Sequence, residues 1–153
     1  MNRVNPVPNE QQALSPYLIV KGAAQAIDFY QKAFGARELY RLSEPGGKIG
    51  HAELEIGRCR LMLADEYPDF GALSPVTIGG SPVSLHLYVE DVDAVVTRAT
   101  AAGATLLRPV QDEFFGERTG MVTDPFGHKW HLATRKEDVS PEEMQRRMNA
   151  AFA

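Results

Sequence analysis

Cysteine is nearly absent: Cys59 is the single one in 153 residues, so an intramolecular disulfide framework is excluded and a reducing compartment is expected. Basic residues are also short, 16 against 20 acidic ones, for a net charge of -4 and a pI of 5.6. Without a basic stripe there is no electrostatic footprint for nucleic acid or an anionic membrane surface. No apolar run approaches membrane-spanning length, and the first six residues, Met-Asn-Arg-Val-Asn-Pro, lack the apolar centre of a signal peptide. The expectation is a cytoplasmic protein with no nucleic-acid or membrane partner. What is present, 44% hydrophobic residues over this length, suffices for one domain with a real core.

Residues 1–14 are polar and proline-containing and read as a flexible arm. Tyr17–Val20 reads as a strand. Apolar residues at Ala26, Ile27, Tyr30, Ala33 and Phe34 follow helical spacing over Ala23–Phe34, and Gly35 stands where a helix stops. Strands are expected over residues 38–42, Ile49–Ile56 and 59–64. In the second of these, Ala52, Leu54 and Ile56 share one face and His51, Glu53 and Glu55 the other. In the third, Cys59, Leu61 and Leu63 oppose Arg60, Met62 and Ala64, which makes Cys59 small core filler. Residues 68–82 are rich in proline and glycine and read as a linker without regular structure.

The order then repeats. A strand over residues 83–89 turns Leu85, Leu87 and Val89 to the core and Ser84, His86 and Tyr88 away from it. A helix follows with Asp91 as N-cap, Val92, Val95, Val96, Ala99 and Ala102 as its stripe, and Gly103 as its close. Residues 105–107, 119–123 and 129–133 supply three more strands. Val20 and Val89 are 69 apart and Gly35 and Gly103 are 68 apart, so a β-α-β-β-β unit is duplicated, over residues 15–67 and 83–135. Neither half has the strands to stand alone, so the two are expected to pair. In residues 136–153, Ser140-Pro141-Glu142-Glu143 is a capping box, and Met144, Met148, Ala151 and Phe152 form a narrow docking stripe.

Asp124-Pro125-Phe126-Gly127-His128 is turn chemistry that delivers the last strand, with Trp130 and Leu132 facing the core and His131 away from it. His128, inside the turn, reads as a brace for the loop. By the same alternation His51, Glu53, His86 and His131 share a polar face. His131 or His86 could act as an acid or base with Glu53 to orient it. Tyr17, Tyr88 and Met62 offer flat, soft surface, and Arg60 or Arg118 suits an anionic group. Phe114 and Phe115, adjacent in a glycine-bearing loop, cannot both hide behind one strand, so Phe115 is expected to gate a site or pack on a partner subunit.

Several short motifs now stand in order: Pro16-Tyr17-Leu18, Ala26-Ile27-Asp28-Phe29-Tyr30, Phe34-Gly35-Ala36, Gly50-His51-Ala52-Glu53-Leu54, the run from Leu85 through Asp93, and Asp124-Pro125-Phe126-Gly127-His128. In that order and spacing the chain resembles the vicinal oxygen chelate superfamily of glyoxalase I, bleomycin-resistance proteins and extradiol dioxygenases, its PhnB-like branch in particular. The resemblance implies an α+β fold of two βαβββ modules curled into a cup-shaped, partly closed mixed sheet, plus here a short C-terminal helix. It also implies a homodimer and a small-molecule or metal site in the cup. The family's metal positions fall on Ser15, Met62, Ser84 and His131. Hydroxyls and a thioether are poor ligands for a hard divalent ion, so the standard metal site is expected to be dismantled and no cofactor is required.

Two functions follow as expectations. One is a metal-independent cup for a small organic molecule, lined by Tyr17, His51, Glu53, Arg60, Met62, Ser84, His86, Tyr88, Phe115, Arg118 and His131. The other is a lyase, isomerase or dioxygenase with a divalent metal in a rearranged site around His131 and His86.

Overall fold

A computed structural model describes residues 3–8 and 12–153. The chain divides into two compact units, Met1–Gly80 and Ser81–Ala153. In the first, β1 (Tyr17–Val20), α1 (Ala23–Phe34), β2 (Arg37–Ser43), β3 (Ile49–Ile56) and β4 (Cys59–Asp65) are followed by a 3-10 turn at Pro68–Phe70 and the short α2 (Pro75–Ile78). In the second, β5 (Ser84–Tyr88), α3 (Val92–Ala101), β6 (Thr105–Asp112), β7 (Glu117–Thr123) and β8 (Lys129–Arg135) precede α4 (Pro141–Ala151).

The duplication read from spacing is a duplication of topology. The strand orders are β1-β4-β3-β2 and β5-β8-β7-β6; each sheet is mixed, with its first strand parallel to its last, and neither closes on itself. Tyr17 stands opposite Met62 and His86 opposite His131, two pairs that are 69 residues apart throughout. Even the helix starts correspond. Asp65, at the end of β4, accepts from the backbone N–H groups of Gly22 and Ala23 at 3.1 and 2.8 Å, replacing a cap that Gly22 has no side chain to supply. Thr134, 69 residues later, accepts from the N–H of Val92 at 2.9 Å.

Each unit buries its own helix-on-sheet cluster. Ile27, Tyr30 and Phe34 of α1 are buried, as are Leu18, Val20, Leu54, Leu61 and Leu63 of the first sheet. Val92, Val95 and Val96 of α3 are buried with Val122, Trp130 and Leu132 of the second. Burying each such side chain is worth about 1.5–3 kcal/mol. Leu85 and Leu87, expected in the core, are only half-buried.

Four expectations change. Cys59 is exposed rather than core filler: it opens β4 directly after the Gly57-Arg58 turn, at the mouth of the hairpin, with its Sγ 3.7 Å from Oε1 of Gln12. Alternation assigns a face but not whether anything covers that end of it. The linker is partly regular, since Ser74 caps α2 by accepting from the Thr77 N–H and Tyr67 bridges Ala72. β6 runs to Asp112, five residues past its expected end, because Pro109 sits in an edge strand, where a missing ladder N–H is tolerated. Ser140 caps α4 by accepting from the Glu143 N–H, but the Glu143 carboxylate is taken by Arg146 and Arg147 rather than by the cap. The arm expected over residues 1–14 lies partly outside the described residues; Val4, Val7 and Leu14 are exposed.

Candidate functional site

In the first unit, the row of side chains crossing the sheet on the face away from Leu54 and Leu63 is Tyr17, Met62, Glu53, Tyr40, set by direct cross-strand pairing. Glu53 is its hub and is only 6% exposed. Its Oε1 accepts from Arg60 Nη1 at 3.0 Å, and its Oε2 accepts from Tyr40 O–H and from His51 Nε2 at 2.8 Å. Because an ionised carboxylate only accepts, the His51 hydrogen must sit on Nε2. In the neutral ring Nδ1 then accepts the O–H of Tyr17, at 2.8 Å. The result is a directed chain from Tyr17 through His51 to Glu53. It leaves the half-exposed phenol oxygen with lone pairs to offer a ligand.

The electrostatics agree with that direction. Burial alone would raise the Glu53 carboxyl, but the hydrogen bonds from His51, Tyr40 and Arg60 outweigh it and hold the group below the usual carboxylate range. Burial, and then the Glu53 charge, push the Tyr17 phenol above its ordinary value; for Tyr40 the bond to Glu53 comes first. Both phenols therefore remain protonated. Tyr17 at 48% exposed and Tyr40 at 44% present flat apolar surface beside this polar hub.

In the second unit the corresponding row is His86, His131, Met121, Arg108. The rings of His86 and His131 lie nearly parallel with centroids 6.3 Å apart, and Tyr88 packs on His86 at 4.6 Å. The Tyr88 O–H donates to Glu117 Oε1 at 2.8 Å. Burial, then the positive charge of Arg108, then His86, hold His131 below its ordinary value, so it is neutral at neutral pH.

The sequence-based candidates thus form two sets. Tyr17, His51, Glu53, Arg60 and Met62 meet in one unit; His86, Tyr88 and His131 meet in the other, with Ser84 two residues along β5 from His86. Arg118 is elsewhere. It lies beside buried Gly120 and Val122 by alternation and is tied to Asp93 of α3 at 2.8 Å and to Asp112 at 3.2 Å, so its charge is already answered within the unit. Arg60 is likewise committed to Glu53. Ser15 precedes β1, and the backbone N–H of His128 donates to Asp124 Oδ1 at 3.0 Å inside the turn.

Phe115 sits with Phe114 in the β6–β7 turn, lining a recess of about 350 Å³ with Pro141, Met144, Gln145 and Met148 of α4. Arg147 fastens the helix there by donating to the Phe114 carbonyl at 3.1 Å. In Phe115→Ala, α4 is expected to loosen, read as faster amide exchange over Pro141–Ala151; unchanged exchange would show that the helix is held without it. The same variant tests the expected gating and partner-packing roles, both of which fall if the mass in solution and ligand affinity are unchanged.

Three residues of these rows escaped the sequence reading, Tyr40, Met121 and Arg108. Tyr40 reaches Glu53 only because β2 carries a bulge between Glu38 and Tyr40, which simple alternation does not register. Arg108 lies one residue past the expected end of its strand.

The metal implied by the resemblance does not fit these side chains. Both ring nitrogens of His51 and both oxygens of Glu53 are engaged inside the network, with a guanidinium against the carboxylate. His86 and His131 face Arg108 across the row, and among the described residues no three His, Cys, Asp or Glu side chains converge. Ser15, Met62 and Ser84 supply the wrong donors.

Residues 12–132 match the family model described as Glyoxalase/Bleomycin resistance protein/Dioxygenase superfamily. An uncharacterized protein of Mycobacterium bovis is 46% identical over 145 residues, covering 93% of this chain and 95% of the relative. An Arabidopsis thaliana gene product of known structure has a TM-score of 0.65 at 29% identity, over 78% of this chain and 96% of that one. The PhnB protein of Bacillus cereus shares the fold, with a TM-score of 0.62 at 23% identity over 80% of this chain and 99% of its own.

Proposed function

The chain belongs to the glyoxalase/bleomycin resistance protein/dioxygenase superfamily, and on that premise we propose that it binds a small, flat, partly polar organic molecule without the family's metal, in a cup completed by a homodimer. The observation that carries this reading is the closed network around Glu53. Its donors and acceptors satisfy one another, so the site is pre-organised for hydrogen bonding and stacking, not for coordination. Tyr17 and Tyr40 supply the stacking surface and the Tyr17 oxygen an acceptor. The cell interior, free of disulfide demand, is the proposed compartment. No described helix is long and apolar enough to cross a membrane.

Elemental analysis of protein purified without chelators, paired with ligand screening by calorimetry, tests the reading. Metal-free protein that binds aromatic ligands with equal affinity before and after EDTA is the expected result. Stoichiometric metal that disappears in His131→Ala would instead favour the second reading, an enzyme working through His86 and His131. That reading has one observation on its side, the two adjacent imidazoles whose ring nitrogens have no hydrogen-bond partner among the described residues.

A further inference from the structure

The equivalent rows of the two sheets are chemically opposite. In the first unit a carboxylate sits in the row with an arginine already bound to it. In the second the same place is taken by Met121, and Arg108 stands beyond it with no hydrogen bond or ion pair among the described residues. Arg108 is exposed and β6 carries register shifts on both sides of it, between Leu106 and Arg108 and between Arg108 and Gln111. Paired bulges of this kind re-aim a side chain at the cost of ladder hydrogen bonds. Arg108 is near enough to His131 for its charge to be felt there.

The remaining charges on that face favour an anion. Lys129 of β8, two residues from His131, is exposed and unpaired among the described residues. Arg135 answers Asp138 at 3.2 Å. The carboxylate on this face of β7, Glu117, stands opposite Arg135 at the far end of the sheet and already accepts from Tyr88. Glu113, past the end of β6, accepts from Gln111 and Thr119. A guanidinium with no counter-ion, beside two imidazoles and a thioether, is a fork for a planar oxyanion with an apolar wall next to it.

Resting on the binding role proposed above, we infer that the second unit has an oxyanion subsite of its own, in which a ligand's carboxylate or phosphate-type group seats against Arg108 with His131 and His86 alongside. Arg108 is the specificity-determining residue: it selects the anionic member of a pair of otherwise equal ligands.

Benzoate, its neutral isostere benzamide and inorganic phosphate are the probes, each titrated into full-length protein by calorimetry and by observation of the histidine ring signals. The expected result is a preference for benzoate over benzamide of tenfold or more, phosphate shifting the His131 and His86 resonances, and loss of both effects in Arg108→Gln. The exposed position of Arg108 leaves the fold of that variant intact, checked by its melting temperature. Arg58→Gln removes the same charge from an exposed turn in the other unit and is expected to leave the preference unchanged. Equal affinity for benzoate and benzamide, an Arg108→Gln variant that keeps the preference, or equal loss in Arg58→Gln would overturn the oxyanion assignment while leaving the binding role standing. If neither aromatic probe nor phosphate binds at all, both readings fall together.

Discussion

Asp124→Asn is expected to melt roughly 10 °C lower than the parent, from a loss of about 3–4 kcal/mol and a shift of about 2–4 °C per kcal/mol for a chain of this size. Asp124 is 3% exposed; its Oδ1 accepts from the backbone N–H groups of Phe126 and His128 at 2.9 and 3.0 Å, and its Oδ2 from the indole N–H of Trp130 at 2.9 Å. Asparagine keeps one oxygen. Whichever way its amide turns, an NH2 meets either the two backbone donors or the buried indole, and a buried donor is left without an acceptor. Replacing Trp130 by Phe first removes the indole donor, so the asparagine substitution in that background is expected to cost less; the difference measures the coupling of turn to strand. A full-sized loss in both backgrounds would show that Trp130 is not part of the effect.

Glu53→Gln is expected to cost about 2–3 kcal/mol in urea unfolding at neutral pH, less than a wholly buried pair because His51 and Arg60 can each reach water. Its larger signature is in pH. The folded state holds the Glu53 carboxyl below the ordinary value of 4.5, so the folded protein binds fewer protons there than the unfolded chain. The stabilisation is complete above 4.5 and is lost as the pH falls through the depressed folded value. Glu143, held down to about 2 by Arg146 and then Arg147 at the surface of α4, contributes with the same sign. The parent should therefore lose stability steeply below pH 4.5. Glu53→Gln should start lower and fall less steeply over that window. Parallel profiles for the two proteins would remove Glu53 as the source.

Much of the fold was legible before any coordinates. Ala23–Phe34 and Ile49–Ile56 lie where periodicity puts them, because a helix stripe closed by a glycine and a two-residue alternation are local patterns. The repeat was legible because its spacing is local: the 69 residues between Val20 and Val89 are also the spacing by which Tyr17–Met62 corresponds to His86–His131 in the structure. The end of β6 was not legible for the opposite reason: it lies past Pro109, whose place at a sheet edge lets the strand continue to Asp112.

The candidate site divides along the same line. By itself the amino-acid sequence determined which side chains share a face: His51 with Glu53, His86 with Tyr88, His131 apart from Trp130. It also determined that the donors at Ser15, Met62 and Ser84 suit no hard metal ion. Tertiary structure alone decided which of these residues have partners. Arg60 and Arg118 look alike in the chain as candidates for an anion, yet each is bound to a carboxylate of its own unit, whereas Arg108 has no ion pair among the described residues. The physical reason is that parity is a property of one strand, whereas partnership depends on the register between strands. One register shift in β2 and two in β6 set that register at Tyr40 and at Arg108.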